Sequence, residues 1–547
     1  MGHAKSILGD FVISPERTVN REGFPAFKRD WKEQYLQMLL CNTMSNTFYA
    51  SAQELCKDAI DLHRYAADED PFFMARSLIY ARNEGFMRLQ PIVGLAVLSQ
   101  VSPSLFDRVF PRVVRIVPDL VEFALALEAL GRGQGGRAVK RAASHFLNGL
   151  DEYAVMKYAG AGRGYALRDL LRVFHPKAAN DDANRLFAYA AGKLDWNSVP
   201  EDGLPKLRAF EALKRLGDGE SERACELIRA GRLPDNVVTG VTKATADVWR
   251  ALLPDMPLFS LLRHLVTLQR AGVLGEEKND FVASRLTDPE AIRRAKILPF
   301  RFAQAWQQIR ESDSRYQAYL NRQRYNAFFG RFGRRTAVPE AAPDGWLLDA
   351  LEQAVDASVA CMPDLPGRTA VMLDISGSMQ GQFLTAGSVL ALSLLKKTGG
   401  RGRFMLFDTE CEDVRVEADE PILRAAGRIC ARGGTDTGVC LRQMIAQNDR
   451  CDTIIIVTDE QQNAGSPFYK RLRDYRYKVN KDARAFVVDV SPYGSAMTPP
   501  SDGKTWYCFG WSDQVVSFIA QAVQGYGDLV SRVSAIELGG ESGAACA

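Results

Sequence analysis

Between residues 30 and 330, apolar residues recur every three or four positions, as on one face of an α-helix. The pattern is clear in "WKEQYLQMLLCNTM", "SAQELCKDAIDLHRYAADE" and "DLVEFALALEAL". Pro71 and Pro91 stand where first helical turns would begin, and Pro254 and Pro257 divide a longer apolar stretch into two helices. Short helices over such a length predict a solenoid of helix pairs, without a fixed repeat length in the residues.

The pattern changes near residue 368. "TAVMLDI", "RFMLFD", "CDTIIIVTD" and "RAFVVDV" are short apolar runs rich in Val and Ile, which is typical of parallel strands buried on both faces. Helical segments lie between them, and this alternation predicts a doubly wound α/β sheet. Pro363, Pro366 and Gly367 mark the boundary between the two regions.

A chain of 547 residues is too long for a single core, so several domains are expected. The predicted organisation is an N-terminal arm (1–23), an all-α solenoid (24–362), a Rossmann-like α/β domain (363–534) and a flexible tail (535–547).

Composition changes this picture in two respects. The formal net charge is only +3, but basic residues concentrate in two blocks: nine Lys and Arg against three acids in 131–177, and twelve against four in 285–335. Such blocks predict localised basic surfaces.

The ten cysteines include no CxxC pair, which argues against a zinc site and a disulfide framework. With no secretory h-region and no apolar run as long as a membrane span, we expect a cytoplasmic protein.

Polar residues stand where the predicted strands end. Ligands of parallel α/β sheets bind beyond the carboxyl ends of the strands, so these side chains are expected in one crevice. They offer carboxylates and hydroxyls only: Asp374, Ser376, Ser378, Thr435, Asp436 and Asp459. Hard oxygen ligands of this kind suit Mg²⁺ or Mn²⁺.

The combination of "DISGSM", "GGTD" and a strand-terminal "TDE" resembles the metal-ion-dependent adhesion site of von Willebrand factor A domains, over residues 368 to 530. The resemblance implies that Ser376, Ser378 and Thr435 contact the metal, and that Asp374 and Asp459 reach it mostly through water. One alternative is a strand cap without metal. Another is a phosphate-ester hydrolase with Asp374 as nucleophile, which lacks the second acid because Ser376 stands in its place.

The segment 135–177 carries the cations expected to contact nucleic-acid phosphate. Some share a helix face by their spacing, and others flank a Gly-rich turn or end a helix: Arg137, Lys140, Arg141, Lys157, Arg163, Arg168, Arg172 and His175. The alternative is an ordinary solvated helix face. In 315–335, aromatic residues alternate with arginines; they could stack on bases or pack into the core, and both possibilities stay open.

A helical solenoid followed by a von Willebrand A domain resembles the TROVE family of Ro-like proteins. "GGRAVKRAA", "KYAGAGRGYALRDLLRVFHPK", "VWRALLPDMPLFSLLRHL" and "ILPFRFAQA" carry the resemblance. It implies a HEAT-like helical ring closed by the von Willebrand domain, Y RNA bound outside, and single-stranded 3′ ends of misfolded RNA in the central hole. Lys157, Arg163 and His175 match the family's RNA-binding residues, with one residue more between Lys157 and His175.

The sequence therefore predicts a Ro-like RNA-binding protein that acts in RNA quality control, processing or decay, and is not an enzyme. We expect a monomeric ring that binds Y-like RNA and 3′-tailed RNA, in some settings with an exoribonuclease such as polynucleotide phosphorylase, and neither DNA nor a membrane. The rival interpretation is a protein-interaction adaptor whose metal site captures a carboxylate of a partner.

Overall fold

The structure, a computed structural model, describes residues 17–539 except 134, 160–165, 218, 275, 296, 298, 313–344, 361, 513 and 524–526. Arg163 and the aromatic, arginine-rich segment 315–335 lie outside the described residues.

The N-terminal region opens with a hairpin and continues as helices. The hairpin consists of β1 (Arg17–Val19) and β2 (Pro25–Lys28). The helices that follow are α1 (Trp31–Cys41), α2 (Ala52–Glu69), α3 (Pro71–Asn83), α4 (Leu89–Val101), α5 (Pro103–Val113), α6 (Val117–Ala129), α7 (Gly136–Asn148), α8 (Glu152–Tyr158), α9 (Leu167–Phe174), α10 (Asp181–Ala190), α11 (Pro205–Lys214), α12 (Ser221–Gly231), α13 (Asp235–Val238), α14 (Ala246–Leu252), α15 (Leu258–Arg270), α16 (Glu276–Thr287), α17 (Pro289–Ala295), α18 (Pro299–Ser312) and α19 (Gly345–Ala360).

Local chemistry explains where these helices begin. Ser51 and Glu54 form a reciprocal capping box at the start of α2. Asp70 accepts a hydrogen bond from the Phe73 amide and precedes Pro71, the first residue of α3. Neighbouring helices then stack in order, α3 on α5 and α4 on α6, as in a solenoid.

The C-terminal domain is an α/β sheet flanked by helices. Its elements are β3 (Thr369–Asp374), α20 (Gln382–Lys396), β4 (Gly402–Phe407), β5 (Cys411–Asp413), α21 (Ile422–Ala426), α22 (Val439–Ala446), β6 (Thr453–Thr458), α23 (Phe468–Lys478), β7 (Arg484–Asp489), β8 (Ser495–Ala496), β9 (Thr505–Phe509), α24 (Gln514–Val523) and α25 (Leu529–Ser534). The strand order is β5-β4-β3-β6-β7-β9, and all neighbours are parallel except β4 and β5. Strands β3 and β6 are buried at every position, as the apolar runs predict.

Both ends of the helical region contact the same α/β domain. At one end, α1 packs against β9 and α25, and α3 packs against α25. At the other end, α18 packs against α20, and α19 packs against α21. A solenoid whose two ends meet one domain is closed into a ring through that domain.

The termini take part in this closure. Strand β2 pairs with β8 of the α/β domain, Phe27 opposite Ala496, so the hairpin extends across the domain boundary. Near the other terminus, the Arg76 side chain donates to the Ile536 carbonyl at 3.0 Å, and Leu538 is buried. The last residues of the predicted arm and the first residues of the predicted tail are therefore packed against the ring.

Candidate metal centre and basic helical surface

Strand β3 ends at a buried carboxylate. Asp374 Oδ1 accepts from the Ser376 amide at 2.9 Å, and Oδ2 accepts from the Thr458 hydroxyl at 2.6 Å. The Ser376 and Ser378 hydroxyl oxygens lie 3.2 Å apart, and both side chains are nearly inaccessible to solvent. The turn after β3 therefore gathers one carboxylate and two hydroxyls at the strand end.

The loop that carries Thr435 is tied to this turn and to the loop after β6. The Gly377 amide donates to the Gly433 carbonyl at 3.1 Å. The Thr435 amide donates to Asn463 Oδ1 at 2.8 Å, and the Asn463 amide donates back to the Thr435 carbonyl at 3.0 Å. Thr435, itself buried, is thus held in the same strand-end crevice as the two serines.

Asp459, directly after β6, supplies the second carboxylate. Its Oδ1 accepts from the Gln461 amide at 3.2 Å, and it lies beside the Ser378 hydroxyl. Its Oδ2 is buried without a hydrogen-bond partner. Burial raises the pKa of Asp459, and the neighbouring charge of Asp374 raises it further. The pKa of Asp374 is also raised, mainly by burial. A cation between the two groups would relieve both penalties.

This donor set fits a hard divalent cation. In the part of the chain that the structure describes, no group of three or more His, Cys, Asp and Glu side chains could hold a metal ion, so hydroxyl oxygens must complete any site. The crevice offers three buried hydroxyls and two carboxylates, and one oxygen of the Asp459 carboxylate has no hydrogen-bond partner. Mg²⁺ favours such oxygen ligands and keeps several waters.

Two further acids near the crevice have other partners. Asp436 Oδ1 accepts from the Gly438 amide at 3.0 Å and so helps to begin α22. Asp408, which follows β4, pairs with Arg432 at 3.1 Å. Asp408 and Asn463 were not among the residues predicted from the sequence, although the acid at the end of "RFMLFD" is a usable signal.

Most of the cations of α7 and α9 are exposed. Helices α7 and α9 pack together, and the Asn148 side chain donates to the Lys177 carbonyl at 3.0 Å, which joins the end of α7 to the segment after α9. Arg137 is exposed, whereas Arg141 pairs with Asp107 of α5. Lys140, one turn from Arg137, is partly buried.

On α9, Arg168 and Arg172 lie on either side of one acid. Their nearest nitrogens are 3.7 and 3.3 Å from Asp169 Oδ1, and both side chains remain more than half exposed. His175 follows α9 in the left-handed conformation (φ 48°), and its side chain is exposed. Exposed ion pairs of this kind contribute little stability, which leaves the arginines available to a ligand.

Lys157 belongs to a cluster that the sequence did not reveal. Its ammonium lies 5.5 Å from the ring centroids of Tyr153 and Tyr158, and the ammonium of Lys206, from α11, lies 5.4 Å from the Tyr153 ring. Helices α8 and α9 both pack against α6, so Lys157 on α8 and His175, directly after α9, are carried by two helices that share a neighbour. No local sequence pattern links Lys206 to this cluster, because its helix begins almost fifty residues later.

Two cavities lie beside basic residues. One of about 180 Å³ is lined by Tyr153 and Lys206 together with Arg232 and Asp235. The other, about 630 Å³, lies where α25 meets the helical region, and its basic lining residues are Arg112, Arg115 and Arg532. Arg532 is far from Arg112 and Arg115 in sequence, and only the folded ring brings it beside them.

Comparison with known proteins agrees with this architecture. The family model of the TROVE domain matches residues 236–341, and that of the Ro60 vWA domain matches residues 368–523. "RNA-binding protein RO60" of Deinococcus radiodurans is 25% identical over 495 residues, covering 85% of this chain and 87% of that protein. The protein of the same name from Caenorhabditis elegans is 24% identical over 341 residues, 60% of this chain and 50% of that one. The crystal structure of the D. radiodurans RO (RSR) protein superposes with a TM-score of 0.64 at 22% identity, covering 90% of this chain and all of that one.

The fold and the strand-end loops define a helical ring closed by a von Willebrand factor A domain, and the predicted fold class is confirmed. The matched models are those of a TROVE domain and a Ro60-type von Willebrand A domain, which agrees with the resemblance that the sequence motifs indicate. No helix among the described residues is long and apolar enough to cross a membrane.

Proposed function

We propose that this protein is a Ro-like RNA-binding protein, a clamp rather than an enzyme. Its ligands are Y-like small noncoding RNAs and the single-stranded 3′ ends of misfolded or structured RNAs. It acts as a monomeric ring in the cytoplasm, in RNA quality control, processing or decay, and an exoribonuclease is a candidate partner. The relatives named as RNA-binding proteins support the ligand class.

The arrangement of Lys157, Tyr153 and Lys206 carries the proposal. The two ammonium groups lie 5.5 and 5.4 Å from the ring centroid of Tyr153, which also lines a cavity, so the cluster joins a stacking face to phosphate-binding charges. Single-stranded nucleic acid is bound through this combination, since every base has a face to stack and every nucleotide a phosphate. The exposed arginines of α7 and α9 extend the positive surface beyond the cluster.

RNA binding is tested with a structured RNA that ends either in a single-stranded 3′ tail or in a blunt end, across a salt series. Wild type is compared with a Lys157/Arg163/His175 triple alanine variant. We expect tail-dependent binding that weakens with salt, because the phosphate contacts release counterions. Loss of the two permanently charged side chains should lower the salt slope by about one to one and a half.

The matched control is an Arg223/Arg250 double alanine variant, which loses the same permanent charge from α12 and α14. Both arginines are exposed and paired with acids on their own helices, at 2.5 and 2.8 Å. The control should bind RNA like wild type. If it loses affinity as the triple variant does, binding depends on overall charge and not on this surface. If wild type binds neither RNA, the proposal fails.

We also propose that the strand-end crevice holds Mg²⁺ or Mn²⁺. Ser376, Ser378 and Thr435 would contact the ion, with Asp374 and Asp459 acting mostly through water. The bound ion would offset the charge of two buried carboxylates and attract a further oxygen ligand. The unpartnered Asp459 Oδ2 supports this assignment.

A further inference from the structure

The seam between the ring's N-terminal hairpin and the α/β domain lies beside the metal crevice. The turn between β1 and β2 is attached to the loop that follows Asp459. Asn20 Nδ2 donates to the Gln462 carbonyl at 2.7 Å, and the Arg21 amide donates to Gln461 Oε1 at 2.8 Å. Asn20 is buried in this contact. The hairpin turn is therefore hydrogen-bonded to the residues that directly follow the candidate metal ligand Asp459 in the sequence.

Glu22 stands at the tip of this turn. Its amide donates to Asn20 Oδ1 at 3.0 Å, which orients the turn, and its side chain is exposed. The Glu22 carboxylate lies close to the phenol of Tyr49, a residue of the segment between α1 and α2. The helical region thus brings an acid of its own to the edge of the crevice.

Tyr49 connects this acid to the crevice. Its phenol lies beside the Ser378 hydroxyl as well as beside Glu22, and within electrostatic reach of Asp459. Its ring packs edge-on against Tyr493 of the α/β domain, with centroids 5.4 Å apart. Ala50 and Leu55 complete this small apolar contact. Tyr49 is therefore fixed over the metal crevice by packing, independently of any ion.

We infer that Glu22 and Tyr49 seal the metal site from within, in the place that a carboxylate of a partner protein would take. This inference rests on the proposed metal site. Three neutral hydroxyls and two acids leave a bound divalent ion electron-poor, so it favours a further carboxylate, and Glu22 is the acid already held at its entrance. Because the hairpin belongs to the ring, metal binding and closure of the seam stabilise each other reciprocally.

The seal has a consequence for the adaptor interpretation. An outside carboxylate can reach the ion only after the Glu22 turn has lifted from the 460–462 loop. In the closed ring the metal ion thus stabilises the seam and is inaccessible to a protein partner. Capture of a partner requires that the ring first open at this seam.

The test measures Mg²⁺ affinity of the intact chain by calorimetry, together with amide hydrogen exchange of residues 20–24 with and without Mg²⁺. The variants are Glu22→Gln, Tyr49→Phe and, as matched control, Glu69→Gln, an exposed acid at the end of α2. We expect Glu22→Gln to weaken Mg²⁺ binding about 10- to 100-fold, as loss of a supporting ligand does in other metal sites. Mg²⁺ should slow exchange at the hairpin turn in wild type and in Glu69→Gln, but not in Glu22→Gln.

A smaller weakening is expected for Tyr49→Phe, which keeps the ring packing and loses the phenol. Acetate, added to Glu22→Ala, should restore Mg²⁺ affinity because it replaces the missing carboxylate, and it should leave wild type unchanged. If wild type binds Mg²⁺ but Glu22→Gln behaves like Glu69→Gln, the seal is refuted while the metal site stands. If wild type does not bind Mg²⁺, the proposed metal site fails and the seal with it.

Discussion

One buried guanidinium joins the N-terminal hairpin to the α/β domain. Arg29 Nη2 pairs with Glu460 and lies 3.1 Å from Asp489 Oδ2, and the three side chains are almost completely buried. The guanidinium also stacks on Tyr507, with its carbon 4.3 Å from the ring centroid. Gln37 of α1 donates to the same Asp489 oxygen at 2.6 Å. This network is the polar centre of the seam.

Replacing Arg29 by Met keeps most of the side-chain volume and removes the cation. Glu460 and Asp489 would then remain buried beside each other without a compensating charge. Removal of one partner from a buried ion pair costs about 3–5 kcal/mol. The lost stacking on Tyr507 adds roughly 0.5–2 kcal/mol. We therefore expect Arg29→Met to destabilise the docked hairpin by about 4 kcal/mol or more.

The assay is amide hydrogen exchange followed by mass spectrometry, which reports local opening and does not require the two domains to unfold together. A loss of about 4 kcal/mol corresponds to faster exchange by a factor on the order of 10³ in the hairpin and the first turn of α1. Helices α7 to α9 should keep their wild-type exchange. Adding Glu460→Gln to Arg29→Met should recover part of the loss, because one uncompensated charge is removed.

The control is Lys32→Met, in the same segment. Lys32 pairs with Asp70 at 2.9 Å, but both side chains are about one-third exposed, so this pair is expected to contribute under about 1 kcal/mol. If Arg29→Met and Lys32→Met accelerate hairpin exchange equally, burial of the network does not hold the seam, and the argument is refuted.

Three further outcomes are expected. Thr435→Ala should weaken Mg²⁺ binding at least tenfold by calorimetry, and unchanged affinity would remove Thr435 from the site. Burial lowers the pKa of His63 from 6.5 to about 4. The free energy of unfolding is therefore unaffected by this group above pH 6.5 and falls by up to about 3 kcal/mol as the pH decreases towards 4, because the unfolded state binds the proton first. Thermal unfolding measured against pH should show this slope in wild type and lose it in His63→Gln. Lys157→Ala should reduce affinity for 3′-tailed RNA in a filter-binding assay, whereas Arg223→Ala should not, and equal losses would contradict the assigned surface.

The strand-end crevice could be predicted because its information is local. Asp374, Ser376, Ser378 and Asp459 follow closely on apolar runs, and parallel strands of a doubly wound sheet end at the same edge. Asp374, Ser376 and Ser378 lie within five residues, and the hydrogen bonds of this turn involve near neighbours. Thr435 needed only the family's spacing to be placed with them.

The seam could not be predicted in this way. Strand β1 has three residues and β2 has four, too few to show a periodic pattern, and the pairing of β2 with β8 spans more than 460 residues of chain. Arg29 and Tyr49 carry no motif in the sequence. Their roles arise only because the ring closes, which is a property of long-range packing rather than of local propensity.

The basic segment illustrates an intermediate case. The excess of Lys and Arg predicted a positive surface. The structure places most of the described ones on α7, α8 and α9, of which α7 and α9 pack together while α8 and α9 both pack against α6. It also gives Arg141, Arg168 and Arg172 neighbouring carboxylates, which a count of charges does not reveal. Lys157 lies instead against aromatic rings, so its environment differs from theirs.

The strand-end crevice and the seam meet at a single peptide bond. Asp459 is directed to the crevice, and Glu460, the next residue, pairs with Arg29 at the seam. Glu460 adopts the left-handed backbone conformation (φ 60°), which is unfavourable for a residue with a side chain and persists only where the surroundings enforce it. Here the Arg29 pair and the Met497 amide, which donates to Glu460 Oε2 at 2.9 Å, provide that support. A displacement of the hairpin would release this conformation and move Asp459, so a change at the seam would be transmitted to the proposed metal site through one residue.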